Sequence, residues 1–183
     1  MKRLSNWMQA ISTSWVALLT LLVFAAFIIW VLPTQAADAE AVTQGAGSPD
    51  SAFYYSAEQL YQEGRQAYIR SRFTFDVVWP LAYVLFLGTW ISWAFGRLFE
   101  ANSLWQRANL VPILGGLFDF LENSAASIVM ARYPAETAVI DSLASVFTMI
   151  KWVFVQGSFV VLLGGVLFGG GLWLWRKSRG VAK

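Results

Sequence analysis

The sequence has 183 residues, 57% of them hydrophobic and 13% charged, with a formal net charge of +2; soluble domains carry about 25% charged residues. It contains no histidine and no cysteine, which excludes disulfides, thiol nucleophiles, Cys/His zinc sites, histidine-ligated haem and any Ser-His-Asp triad within these residues. Any metal would be a hard cation held by oxygen, and neither a metal site nor a cofactor is expected.

The apolar runs predict an all-α membrane protein, one membrane domain over residues 1–183. It is a four-transmembrane-helix bundle with a short outer amphipathic helix between spans one and two. The spans fall at about 15–32, 76–95, 109–131 and 146–175, each close to the roughly 17–25 residues that cross ~30 Å of hydrocarbon. Span one follows Lys2 and Arg3 and could imitate a signal peptide, with Ala37-Asp38-Ala39 resembling a cleavage site. The run from Trp15 to Leu32 is 18 residues, longer than the usual 7–15 of a signal core, so retention as a span is expected.

Residues 33–74 form the outer segment. Thr34 to Asp50 is rich in Ala, Gly, Ser, Thr and acid and reads as a flexible linker. Order is expected from Ser48-Pro49-Asp50. Ser56 and Gln59 have the spacing of a capping box that starts a helix at Ala57. Leu60, Tyr61, Gly64, Tyr68 and Ile69 then recur near helical spacing, which predicts an amphipathic helix on the outer membrane surface feeding span two. Arg72 and Asp76 stand at the mouth of that span, where headgroup anchoring is the plainer role. Pro80 lies in its first turns, where a missing N–H costs little.

Span three carries Phe118-Asp119-Phe120-Leu121-Glu122-Asn123-Ser124. Asp119, Glu122 and Asn123 stand at i, i+3 and i+4 and so share one helix face. An ionisable group at bilayer depth costs about 2.5–3.5 kcal/mol on insertion scales, so these acids must be paired, protonated or in use. Structural glue across the bundle competes with ligand binding here. Gly115, Gly116 and Ala126 extend the face and allow a neighbouring helix to approach closely. Span four has a GxxxG from Gly165 to Gly169, read as helix packing. Lys151 is the one basic residue set inside that long apolar helix. A Glu122–Lys151 pair is within reach of the lysine stem, with snorkelling to the outer surface as its competitor. If the pair forms, Asp119 is left deeper and free, and a polar cavity opens outward between spans two, three and four with Asp76 and Arg72 at its rim. The ligand-binding candidates are therefore Asp119, Glu122, Asn123, Lys151, Asp76 and Arg72; no catalytic residue is assigned.

Lys2, Arg3, Arg97, Arg107, Arg176, Lys177, Arg179 and Lys183 fall on one side of the four spans, with Glu100 the only acid there. The positive-inside rule then places both termini in the cytoplasm. The positive charge is thus a topology signal, and no nucleic-acid partner is expected. Trp90, Trp93, Trp105, Trp173 and Trp175 would mark the cytoplasmic interface, and Trp30, Trp79 and Trp152 the outer one.

The blocks Gly64-Arg65-Gln66-Ala67-Tyr68, Arg72-Phe73-Thr74-Phe75-Asp76 through Trp79-Pro80, and Phe118-Asp119 through Glu122-Asn123 resemble those of a family of small bacterial four-span membrane proteins. That family's FDxxEN block is its most specific part, and no catalytic assignment comes with it. The resemblance, over roughly residues 50–160, implies a bacterial inner (cytoplasmic) membrane protein. The four spans with buried acids are also loosely similar to the sterol-isomerase-like membrane fold, whose enzymes rely on histidine.

Three function classes follow. The first is binding or moving a small cationic or lipid-like ligand from the outer side. The second is a non-catalytic accessory subunit that meets another membrane protein, and the third is carboxylate-dependent chemistry on a lipid. Two carboxylates on one helix without a nucleophile or metal partner do not make a catalytic constellation, so the first class is preferred and an enzyme is not.

Overall fold

The fold is given by a computed structural model that describes residues 2–34, 57–58, 60–100 and 103–179. The linker at Thr34 to Asp50 (beyond Thr34 itself), the start at Ser48-Pro49-Asp50, the Ser56/Gln59 capping box and the Ala37-Asp38-Ala39 site lie outside the described residues.

The described residues are helical, without strands. A first helix, α1 (Lys2–Ile11), precedes the spans. At Ser12-Thr13 the chain breaks, and the Thr13 hydroxyl accepts from the Val16 N–H at 3.3 Å, a side-chain N-cap that starts α2 (Ser14–Ala26). The same helix runs on through a π-helical turn, Phe27–Val31, to Thr34. Then come α3 (Gln62–Arg72), α4 (Phe75–Leu98), a 3₁₀ turn over Leu104–Leu110 leading directly into α5 (Val111–Arg132), and α6 (Ala138–Ser178).

Four helical stretches are long and apolar enough to cross a membrane: Ser14–Thr34, Gln62–Leu98, Leu104–Arg132 and Ala138–Gly171. Each outruns its apolar core, because a helix once nucleated continues into polar residues until a cap or a turn stops it. At 41 residues, α6 is about 61 Å long, twice the hydrocarbon thickness.

Helix α5 is the central element. Asp119, Glu122, Asn123 and Ala126 are buried along it, while Leu114, Leu117, Leu121 and Ile128 are exposed on its other side. Its glycines serve two neighbours. A Cβ on Gly115 would sit 2.9 Å from Val155 of α6, and one on Gly116 would sit 2.8 Å from Val84 of α4. Small residues thus let α5 approach two helices at once. On α6 the buried residues Ala144, Thr148, Val155, Ser158 and Leu162, with part-buried Lys151, fall at alternating steps of four and three, forming one seam toward the bundle. Gly165 and Gly169, the GxxxG pair, lie against Phe95 and Leu98 of α4.

Ala57 and Glu58, where the sequence predicts a helix to begin, are helical, and α3 from Gln62 onward packs along α5. The Arg65 guanidinium lies 4.7 Å over the Tyr133 ring and donates to the carbonyls of Ala57 and Leu60, while Ala57, Leu60 and Met130 form a small core beside it. With α4, it makes one antiparallel partner for α5, interrupted only at Phe73-Thr74.

Helix α2 is fastened by aromatics. Phe24 stacks on Phe86 at 4.3 Å and on Trp79 at 5.7 Å. The Trp90 indole donates to the Ala17 carbonyl at 2.8 Å, and that of Trp93 to the Ser14 hydroxyl at 3.2 Å. Trp79, Trp90 and Trp93, expected as belt residues, thus also dock one helix on another. Trp30, Trp105 and Trp175 are exposed.

At the end of the bundle carrying α1, Asn109 is fully buried. Its amide donates to the Ser5 carbonyl at 3.1 Å and the Ser92 hydroxyl at 2.9 Å, and its oxygen accepts from the Ser5 hydroxyl at 2.8 Å. The Gln106 amide donates to the carbonyls of Phe95 and Phe99, at 3.1 and 2.9 Å, satisfying acceptors that the end of α4 leaves open.

Candidate functional site

Halfway along α5 all six expected site residues enter one buried network. The Lys151 ammonium on α6 lies 2.5 Å from Glu122 Oε2 and 3.9 Å from Asp119 Oδ1. The Arg72 guanidinium, at the last residue of α3, lies 3.0 Å from Asp76 Oδ2 and 3.5 Å from Glu122 Oε1. It also donates to Asn123 Oδ1 at 3.0 Å and to the Tyr68 hydroxyl at 2.7 Å. Glu122 is therefore held from both sides, by Arg72 on one oxygen and Lys151 on the other. These charges are almost wholly out of solvent: the Glu122 side chain is 2% exposed and that of Lys151 11%.

Local sequence explains how each group arrives. Arg72 and Asp76 are four residues apart across the α3–α4 break, so both point into the same side of α5. Pro80 has no N–H, so the Asp76 carbonyl four residues before it lacks its helical donor. The Asn123 amide fills that place, donating to the Asp76 carbonyl at 3.1 Å. The proline and the asparagine thus explain each other, and together they fix the depth of α4 against α5.

Two members were not foreseen. The Tyr83 hydroxyl donates to Asp119 Oδ2 at 2.9 Å, and Tyr68 receives Arg72 on its hydroxyl and beneath its ring, 4.7 Å from the centroid. Tyr83 stands seven residues after Asp76 and Tyr68 four before Arg72, spacings that put each on the same helix face as its charged neighbour. That was the available signal.

Two expectations need correction. Asp119 is not left free beneath a Glu122–Lys151 pair; Lys151 and Tyr83 both reach it, because it lies three residues before Glu122 on the same face and one ammonium can serve both carboxylates. Nor do Arg72 and Asp76 stand apart at a rim: Arg72 reaches into the cluster, 3.5 Å from Glu122 Oε1 and donating to Asn123 Oδ1 at 3.0 Å.

With all groups ionised the network holds three carboxylates, Asp76, Glu122 and Asp119, against two cations, Arg72 and Lys151. An uncompensated negative charge in low dielectric is costly. One turn beyond Asn123, the buried Ser127 hydroxyl has no hydrogen-bond partner among the described residues. No family model matches the chain, and neither curated proteins nor solved structures give a match.

Proposed function

We propose that this is a bacterial inner-membrane protein with both termini in the cytoplasm, whose buried network binds a small cationic ligand from the outer side. The ligand takes the place of the missing positive charge: a proton, a monovalent metal ion or the head of a small amine. The carrying observation is the imbalance of three carboxylates to two cations in a largely buried site. Asp119 is the receiving group, since Lys151 is 1.4 Å farther from it than from Glu122. Tyr83 steadies its other oxygen. Arg72, beside the α3–α4 break, covers the outer approach, with exposed Arg70 at the headgroup level.

The test uses the protein in nanodiscs of phosphatidylcholine. Tryptophan fluorescence is titrated with sodium, potassium and tetramethylammonium, and infrared difference spectra follow carboxyl protonation with pH. The wild type is expected to show a saturable response to one of these cations or a titrating buried carboxyl. Asp119→Asn should lack it while keeping its unfolding midpoint. Identical responses in both proteins would reject Asp119 as the receiving group.

The second reading treats the protein as an accessory subunit and the network as a fastening between helices. The pairing of Glu122 from both sides favours it. It predicts no cation response in either protein.

A further inference from the structure

Helix α6 has a second seam, opposite the one that faces the bundle. Written as a heptad, its a positions are Val139, Val146, Val153 and Val160, then Leu167 and Leu174, and Met149, Gln156 and Leu163 are successive d positions. Every one of these residues is exposed. The bundle-facing residues Ala144, Thr148, Lys151, Val155, Ser158 and Leu162 occupy the c and f positions. Lipid contact accounts for an exposed apolar face but not for Gln156. This amide is exposed and has no partner among the described residues.

Its depth removes the easy escape. Gly115 of α5 faces Val155, the residue beside it, and the ring of Phe159 lies 6.4 Å from Phe86, at the middle of α4. Gln156 is therefore level with the first turns of α5 and close to the middle of α4. A glutamine there is too far from either surface to reach headgroups or water, and its amide seeks a hydrogen bond from another helix.

We propose that this seam pairs with the same seam of a second copy of the chain, as a parallel dimer with Gln156 bonded to Gln156 across the two-fold axis. Three observations select a second copy. An amide carries both donor and acceptor, so two of them related by a two-fold satisfy each other, as an isologous contact requires. Val at four of the six a positions with Met or Leu at d suits two parallel strands, and an amide at the middle of the seam fixes the register, Ser142 being the other polar d residue, near its end. Beside the seam, Gly157, Gly164 and Gly171 recur every seven residues, and a Cβ at each would meet nothing, so a second backbone can come close on that flank. From Val139 to Leu174 the seam is ~53 Å long; at a helix width of about 10 Å it would bury about 1,000 Å² over both copies, the size at which specific interfaces begin.

Because the sequence has no cysteine, the test can use single cysteines at Val153, Val160 and Leu167, with controls at the exposed Leu19 and Leu85 on other helices. Oxidation in native membranes should give dimers from the three seam positions and not from the controls. Native mass spectrometry of the wild type should show a dimer, and Gln156→Leu should weaken its association about 3- to 20-fold. Gly164→Ile projects into open space, so it should leave the monomer folded and abolish the dimer. A wild-type monomer, equal cross-linking at the controls, or cross-links to a different polypeptide would each overturn the proposal.

Discussion

Removing Lys151 changes the charge of the buried network from one net negative to two, because Arg72 alone would then face Asp76, Glu122 and Asp119. Lys151→Met should therefore cost about 3–5 kcal/mol, as expected for a buried pair broken from one side. Adding Glu122→Gln restores the original imbalance and should recover most of that loss. Thermal unfolding in detergent, followed by near-ultraviolet circular dichroism, measures both variants. Purely additive losses would mean that the 2.5 Å contact carries no energy. The residues of this network were legible for one reason: charge inside an apolar run is costly, so Asp119, Glu122 and Lys151 each had to find a partner. The tyrosines were not legible, since a tyrosine in an apolar helix is unremarkable until a carboxylate or guanidinium is placed beside its hydroxyl.

Helix α1 escaped the sequence reading. Its apolar residues Leu4, Trp7 and Ile11 are exposed, while Ser5 is buried and Met8 and Gln9 are half-buried beside it, so the face toward the protein is mixed and not the apolar one expected of a soluble amphipathic helix. The signal was Asn109, a buried amide at the edge of an apolar run that needed partners. Since Asn109 joins Ser5 of α1 to Ser92 of α4, Asn109→Leu should break that link, leaving the Ser5 hydroxyl only the Gln106 carbonyl and the Ser92 hydroxyl only the Gly88 carbonyl. The expected cost is about 1–3 kcal/mol, with α1 released from the bundle. Hydrogen exchange is then expected to quicken across Lys2–Ile11 while α5 keeps its protection; unchanged exchange in α1 would show that Met8 against Gly88 suffices to hold it. Ahead of α3, Ala57 and Leu60 pack on Met130, a contact that local capping signals alone do not reveal.

The count and order of the spans were legible because hydrocarbon thickness imposes a length that composition reveals. Their arrangement was not, because sequence gives no depth: it leaves open whether Lys151 reaches Glu122 or the outer surface, and the 2.5 Å contact with Glu122 decides it. The proposed orientation is open to direct test. Reporter fusions at Ala101 should be cytoplasmic and those at Gly47 external. A cytoplasmic signal at Gly47 would reverse the assignment and with it the direction from which a cation reaches Asp119.

The network's charges come from segments made at different times. Arg72 is synthesised before the acids of α5, and Lys151 only after them, on the next helix. At the moment α5 reaches the insertion machinery, its two carboxylates can be met by one partner at most, and each unpaired acid costs about 2.5–3.5 kcal/mol. Helix α5 alone should therefore integrate poorly in a glycosylation-reporter assay, better behind residues 57–100, and fully only when α6 follows. Equal integration of all three would show that α5 needs no companion during biogenesis. On this view the order in which the ribosome delivers cation, acids and cation is itself part of how the protein gets two carboxylates into a membrane.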